Sequence, residues 1–454
     1  MSLADGAFTA GNLLNLNVSD GTQLRAEFIY TSRSASDVLN LDIDGGSVVG
    51  DFLGYFGLGR DSGKGGTDNV TIPNGGSLTT GDLYMAIDGG FTSGGGMTTI
   101  TVTGTGSSLN VVEDAELENF GQLIVGYGRF GGTTATLNVL NGATASSSRI
   151  YAGLLPGTTA NINVDGAEST LTAGGVIWLG GGTSTNGTLN PGGTVNMTVS
   201  NGGSVVGGDV LAGYSPNTSA TIQVSGAGST LTVVNTAADN GDVFLSIGSG
   251  ATGSLSVATG GLVSIGGNMI VGGGGAITVG SGGILEIKGG LSETFGSVAA
   301  GSVNFQVQSG GTLRGGGAVS LPPGQTVTVQ AGGRLEPGNG TNTGVFVSRE
   351  NISLQAGSTL EVQLRQADGF DYDGILAFGN IAVGGSNLEI KLLTGFSAVP
   401  SDEFLIAETL GVNGNPPTGT VSGTFANLNA WGLITVVGGG KAFVPQYGAT
   451  DVVL

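Results

Sequence analysis

The chain contains no cysteine and no histidine. Disulfides, thiolate and imidazole metal sites, cysteine nucleophiles and Ser-His-Asp chemistry are excluded with them. Charge is also scarce, at 10% of residues, and it is lopsided: 13 Lys plus Arg stand against 33 Asp plus Glu, a formal charge of -20. A phosphate backbone is held by clustered Lys and Arg, whereas Arg129, Arg149, Lys288 and Arg314 lie far apart in the sequence. Nucleic acid is therefore not expected as a partner. No apolar run reaches membrane-spanning length, so no membrane insertion is expected. No signal peptide is visible in "MSLADGAFTAGNLLNLNV". Prolines number 11 and helical periodicity is nearly absent.

What is abundant is glycine, 92 of 454 residues, without a collagen triplet period and with a 39% hydrophobic fraction normal for a folded protein. Between the glycines stand short runs of Val, Ile, Leu, Thr and Ser, which suit a pleated, half-buried surface. The chain reads as all-β. The acidic balance keeps such a low-charge β-surface soluble.

The phrase "VSGAGSTLTV" at Val224 to Val233 has near copies in "VDGAESTLTA" at Val164 to Ala173 and "VTGTGSSLNV" at Val102 to Val111. The step is close to 60 residues, and other markers keep it: "NVLNGATA" (Asn138 to Ala145) answers to "TVSNGGSV" (Thr198 to Val205), and "IYAG" (Ile150 to Gly153) to "VLAG" (Val210 to Gly213). A shorter period of roughly 25 to 35 residues lies inside each long one. Fixed periods of this size signal solenoids, propellers or arrays. Short strands, glycine corners and few aromatics predict a right-handed parallel β-solenoid, with a propeller as the alternative. In "TIQVSGAGSTLTV", Ile222 and Val224 alternate with Thr221 and Gln223, Gly226 and Gly228 make a corner, and Leu231 and Val233 resume the inward face. A coil cannot bury its apolar face alone, so it stacks on its neighbours. Residues 38–333 would supply about a dozen coils, a rod on the order of 60 Å long.

"GAGSTLTV" with the later "LxVG" and "xxNGGxV" phrases resembles the autotransporter-associated β-strand repeat of bacterial autotransporter passengers and of some surface proteins with a PEP-CTERM sorting signal. The later phrases "GGRLEPGNGTNTG" (Gly332 to Gly344), "ISLQAGSTLEVQL" (Ile352 to Leu364) and "DEFLIAET" (Asp402 to Thr409) resemble the module that closes such passengers. The resemblance implies a secreted, elongated protein, extracellular or on the bacterial cell surface. The expected organisation is an N-terminal β cap or assembly segment at 1–37, a solenoid at 38–333 and a C-terminal β module at 334–454. Neither a membrane barrel nor a sorting anchor is visible in the sequence, so an anchor is expected to have been removed or never present.

Few side chains suggest chemistry. "GSGATG" (Gly248 to Gly253) satisfies a dinucleotide pattern, but "SLSVATGG" follows it as a strand and no helix N-terminus can hold a pyrophosphate. "NLDIDGG" places Asn40, Asp42 and Asp44 on one strand face, so Asp42 and Asp44 are candidate Ca²⁺ ligands, although no calcium-binding repeat recurs. "EDAELE" (Glu113 to Glu118) and "DGFDYDG" (Asp368 to Gly374) are further acidic groups, the second fitting a turn into a strand better than a carboxylate pair for sugar cleavage. Tyr151, Trp178 and Tyr214 fit corner packing better than a glycan-binding row. The expected function is an extracellular structural protein, a rigid solenoid self-associating through its terminal β segments into a filament, layer or matrix, adhesive and without catalysis or a required cofactor. The alternative is a β-helix protein that binds or cleaves polysaccharide.

Overall fold

The computed structural model describes residues 13–454 apart from 27–28, 31–37, 51–55, 58–65, 88–95, 115–118, 129–131, 184–188, 237–238, 291–299, 340, 367–370 and 412–415. The described residues contain strands and turns and no helix, and none could cross a membrane as a long apolar helix. Contacts divide the chain into two compact units, Met1–Ser254 and Leu255–Leu454. Each is a parallel β-solenoid of three walls, to each of which a coil gives one strand, except that among the described residues the coil of Gly275–Val279 and Ile284–Ile287 gives none to wall III, where Met269–Val271 pairs directly with Ala318–Ser320.

In the first unit, wall I is represented by Thr133–Leu140, Thr158–Asp165, Thr194–Ser200 and Ser219–Ser225, paired parallel in that order. Period-two alternation decides what faces where. Leu137, Ile162, Met197 and Ile222 stack inward in register and are at most 1% exposed. The outward column beside them reads Thr136, Asn161, Asn196, Thr221 in the same register. Its amides bond from coil to coil, Asn196 Nδ2 donating to Asn161 Oδ1 at 3.0 Å, and in the next outward column Asn163 Nδ2 donates to Asn138 Oδ1 at 2.8 Å. A polar residue on the outer wall thus satisfies its copy one coil away.

The repeated phrase is the corner between walls I and II. Ser107, Ser169 and Ser229 are fully buried just before the wall II strands Ser108–Val111, Thr170–Ala173 and Thr230–Val233. Each hydroxyl donates to the backbone carbonyl four residues earlier, at Thr103, Asp165 and Ser225, over 2.7 to 2.8 Å. Each also accepts a backbone N–H from the preceding coil, from Gly75, Gly142 and Gly202. Those glycines belong to a second corner type, Asn74-Gly75, Asn141-Gly142 and Asn201-Gly202, with positive φ at both residues. The two corner types alternate along the wall, and the serine of one clamps the glycine of the other. This is why the sequence shows a period near 60 enclosing one about half as long: the repeating object is a pair of coils.

Wall III closes each coil with short strands such as Leu83–Ile87, Gln122–Tyr127, Arg149–Ala152, Ile177–Leu179, Val210–Ala212 and Val243–Leu245. Their inward residues, among them Leu83, Leu123, Ile150, Ile177, Val210 and Val243, are at most 2% exposed. The segment expected as an N-terminal cap, 1–37, contributes Leu13–Asn17 to wall I, parallel with Val38–Asp42, and Gln23–Ala26 to wall II, parallel with Ser47–Gly50.

The second unit repeats the plan with shorter coils and a core that includes Phe305, Phe346 and Phe404. Its wall II contains Leu262–Ile265, Ile284–Ile287, Thr312–Arg314, Arg334–Glu336, Thr359–Leu364 and Asn387–Leu392. The division expected between residues 333 and 334 falls inside this run: Arg334–Glu336 pairs parallel with Thr312–Arg314 on one side and Thr359–Leu364 on the other. Towards the C-terminus the pattern changes. Leu405–Thr409 of wall III is paired antiparallel by Asp451–Val453, which pairs in turn with Gln446–Tyr447. The hairpin Ile434–Thr435 with Ala442–Phe443 lies against wall II through Val437 N–H donating to Ile390 O, and Asn427 exchanges two hydrogen bonds with the Leu388 backbone. Val421 of Val421–Ser422, on wall I, donates to Ala449 O. Walls II and III of this unit are thus covered by the final residues, whereas Ser422 at the end of wall I is exposed.

Candidate functional site

The outward positions of wall III in the first unit are unlike those of walls I and II. In register from coil to coil they are Tyr84, Ile124, Tyr151, Trp178, Leu211 and Phe244. Tyr214 reaches across the Leu211 rung, with ring centroids 5.6 Å from Trp178 and 5.7 Å from Phe244, both edge to face. Tyr151 and Trp178 are 6.2 Å apart and tilted by 30°, and Tyr84 meets Tyr127 at 5.8 Å. All six rings are half-buried, whereas Ile124 and Leu211 are 3% and 9% exposed. Trp178 Nε1 is fixed by donation to Gly180 O at 3.2 Å. The separate aromatics of the sequence therefore form a column one residue wide along the coil direction. Tyr151 and Trp178, expected as corner packing, stand instead on the outward face within wall III strands, while Tyr214 lies just past the end of Val210–Ala212, and the three pack on one another at the surface and not in the core.

In the second unit the outward face of wall II carries charge. Glu286, Arg314 and Glu336 follow one another in register. Glu286 is held by Lys288 at 2.8 Å, Arg314 at 3.1 Å and the Ser264 hydroxyl at 3.0 Å. Burial alone would raise the Glu286 pKa, but its bonds to Lys288 and Ser264 and the Arg314 charge bring it below the ordinary value. Arg334 reaches Glu361 at 2.5 Å and Glu389 at 2.8 Å, and Lys391 reaches Glu361 at 2.6 Å. Glu361 has 2% of its side chain exposed, so its two cations replace the water it has lost. Glu336 is raised by burial and by the neighbouring Glu361 charge. Lys288 and Arg314 are scattered along the chain, as expected, yet they meet in space on Glu286, because a separation of 28 residues is one coil. Opposite signs at coil spacing in "ILEIKG", "TLRGG", "RLEPG" and "NLEIKLL" are the signal that could have found the ladder.

The carboxylates singled out by sequence are dispersed among structural tasks. Asp44 accepts from Asn74 Nδ2 at 2.8 Å. Asp42 ends the strand Val38–Asp42 beside Asn17 and Thr71. Asn40 belongs to an amide ladder with Asn15 and Asn69. Among the described residues no group of three carboxylates could hold a metal, so Asp42 and Asp44 are not joined by a third such ligand. Residues 115–118 of "EDAELE" and 368–370 of "DGFDYDG" lie outside the described residues. Of the remainder, Asp371 accepts from Thr343 Oγ1 at 2.5 Å and Tyr372 packs edge to face on Phe404 at 5.3 Å. Asp373 is fully buried and accepts backbone N–H groups from Gly344 at 2.8 Å and Gln363 at 3.0 Å. Burial pushes its pKa up to about 7 against the pull of those two N–H groups. "GSGATG" is a corner followed by the strand Thr252–Ala258.

No family model matches the sequence, and no curated protein is similar to it. Among solved structures, the crystal structure of a TibC-catalyzed hyper-glycosylated TibA fragment is similar at 15% identity and a TM-score of 0.26, over 92% of this chain and 97% of that one. At that score the likeness carries no argument, and the fold rests on the strand pairing itself. By that pairing the chain is an all-β protein built of parallel β-solenoid coils with a β-rich C-terminal closure.

Proposed function

We propose that the chain is an extracellular or cell-surface structural protein that self-associates through its N-terminal coil and acts without catalysis. The observation that carries the reading is the burial of Leu13–Asn17. Its inward residues Leu14 and Leu16 pair with Leu39 and Leu41, yet they are half-buried while Leu39 and Leu41 are 5% and 3% exposed. A wall strand whose apolar side chains are still accessible supports the reading as a template for strand addition. The C-terminal segments "VSGTFANL" to "GATDVVL" serve in their own unit as cover, which favours assembly at the N-terminal coil over assembly at both termini.

Negative-stain electron microscopy over a concentration range, with and without Ca²⁺, tests this. Ordered assemblies that Leu16→Asp disperses are the expected result, and single particles at every concentration would refute self-association. Release of reducing ends or unsaturated products from neutral or acidic polysaccharide would replace the reading with the polysaccharide-cleaving alternative. The carboxylates and cations on adjacent coils between Glu286 and Lys391 would then be the place to look.

A further inference from the structure

We infer that the aromatic column on wall III of the first unit is a binding site for a linear, uncharged polysaccharide lying along the coil direction. This goes beyond the architectural reading and does not depend on it. Walls I and II meet solvent mainly with Thr, Ser and Asn, with Met97 an exposed exception, so half-exposed rings on an outer wall are not required for folding. From Tyr84 to Phe244 the column advances five coil steps of ~4.8 Å, roughly 24 Å, and is one side chain wide. A second copy of a protein needs about 800 Å² on each side for a stable interface, several times what such a strip offers. A chain ligand with its own short repeat fits it. Tyr and Trp combine an apolar face with a polar edge, the chemistry that meets a sugar ring with its C–H face and its hydroxyl rim. The rings bring no charge, and the chain's formal charge of -20 disfavours an acidic glycan.

The chain has two tryptophans, and Trp431 is 81% exposed in the other unit. Trp431→Phe therefore leaves Trp178 as a reporter inside the column. This variant is titrated with β-1,4-linked hexaoses of glucose, mannose and xylose, with the corresponding monosaccharides, and with hexagalacturonate. The expected result is a saturable change in Trp178 emission with at least one neutral hexaose and none with its monosaccharide. Tyr151→Ser and Tyr214→Ser should each weaken that binding at least tenfold. No response to any neutral hexaose overturns the proposal, as does an unchanged affinity in both tyrosine variants. A response to hexagalacturonate alone overturns the neutral assignment, and an emission change that follows protein concentration without sugar assigns the column to a second copy. Should a tyrosine variant fail to fold, saturation-transfer NMR on the unmodified chain decides the same question: transfer to the neutral hexaose from aromatic protons supports the site, and its absence removes it.

Discussion

Ser169 and Ser229 each hold two corners with one hydroxyl. Replacing Ser229 by Ala removes a bond to Ser225 O and leaves the Gly202 N–H without its acceptor, which should cost about 1–3 kcal/mol in urea unfolding. The matching position after the glycine turn is Gly228 in one coil and Glu168 in another, at φ +80° and +67°. A side chain is disfavoured there by about 1–2 kcal/mol, so Glu168→Gly should raise Tm. Gly203 answers to a different need: a Cβ on it would come within 2.4 Å of Val164 O, and Gly203→Ala should lower Tm where Glu168→Gly raises it. Asp373 sets a pH dependence. Its pKa is raised from 3.8 to about 7 on folding, so the folded state binds the proton more tightly than the unfolded chain. Its contribution is fully present below pH ~4 and is lost as pH rises through ~7. Unfolding free energy should decline across that window, by on the order of 4 kcal/mol at most, and Asp373→Asn should flatten the decline.

At the scale of the walls, the ion-pair ladder and the amide ladder solve one problem with different chemistry, since identical residues stacked in register must either share hydrogen bonds or alternate in sign. Arg334→Met leaves Glu361 with Lys391 and should cost about 1–3 kcal/mol. Removing Lys391 as well strands a carboxylate that is 2% exposed and should cost about 3–5 kcal/mol. Glu361→Gln in that double variant should recover part of the loss, and urea midpoints would show it. The walls themselves were legible in the sequence, because Ile222, Val224, Leu231 and Val233 alternate and the glycine corners recur. The ladders were not. Glu286 and Arg314 touch only because one coil takes 28 residues here, and coil length varies with the loops, so the partner of an outward residue is found by aligning the strand phrases to one another and not by a fixed offset. The aromatic column was hidden for the same reason, with Trp178 and Tyr214 in contact across 36 residues of sequence. The expected C-terminal boundary failed to mark a change because Gly332 and Gly333 are a corner like those before them, and the change of pairing arrives only with the antiparallel cover.

For the molecule as a whole, the covered edge matters most to solubility. Deleting 444–454 would strip Asp451–Val453 from Leu405–Thr409 and expose Phe404, which accepts and donates backbone bonds with Leu454. The shortened chain should form higher-order species in size-exclusion chromatography, as an exposed strand edge predicts. The alternation of corners also bears on how such a chain can change its length. Thr134 and Thr194 both align with Thr159, so excision of 134–193 would set one Asn-Gly coil in place of another and restore every serine clamp above the join. Excision of 134–158 would instead stack two serine corners in succession and leave one hydroxyl facing no partner glycine of its own kind. Heritable variation in length should therefore come in steps of two coils, making the pair the unit of duplication and loss in this lineage.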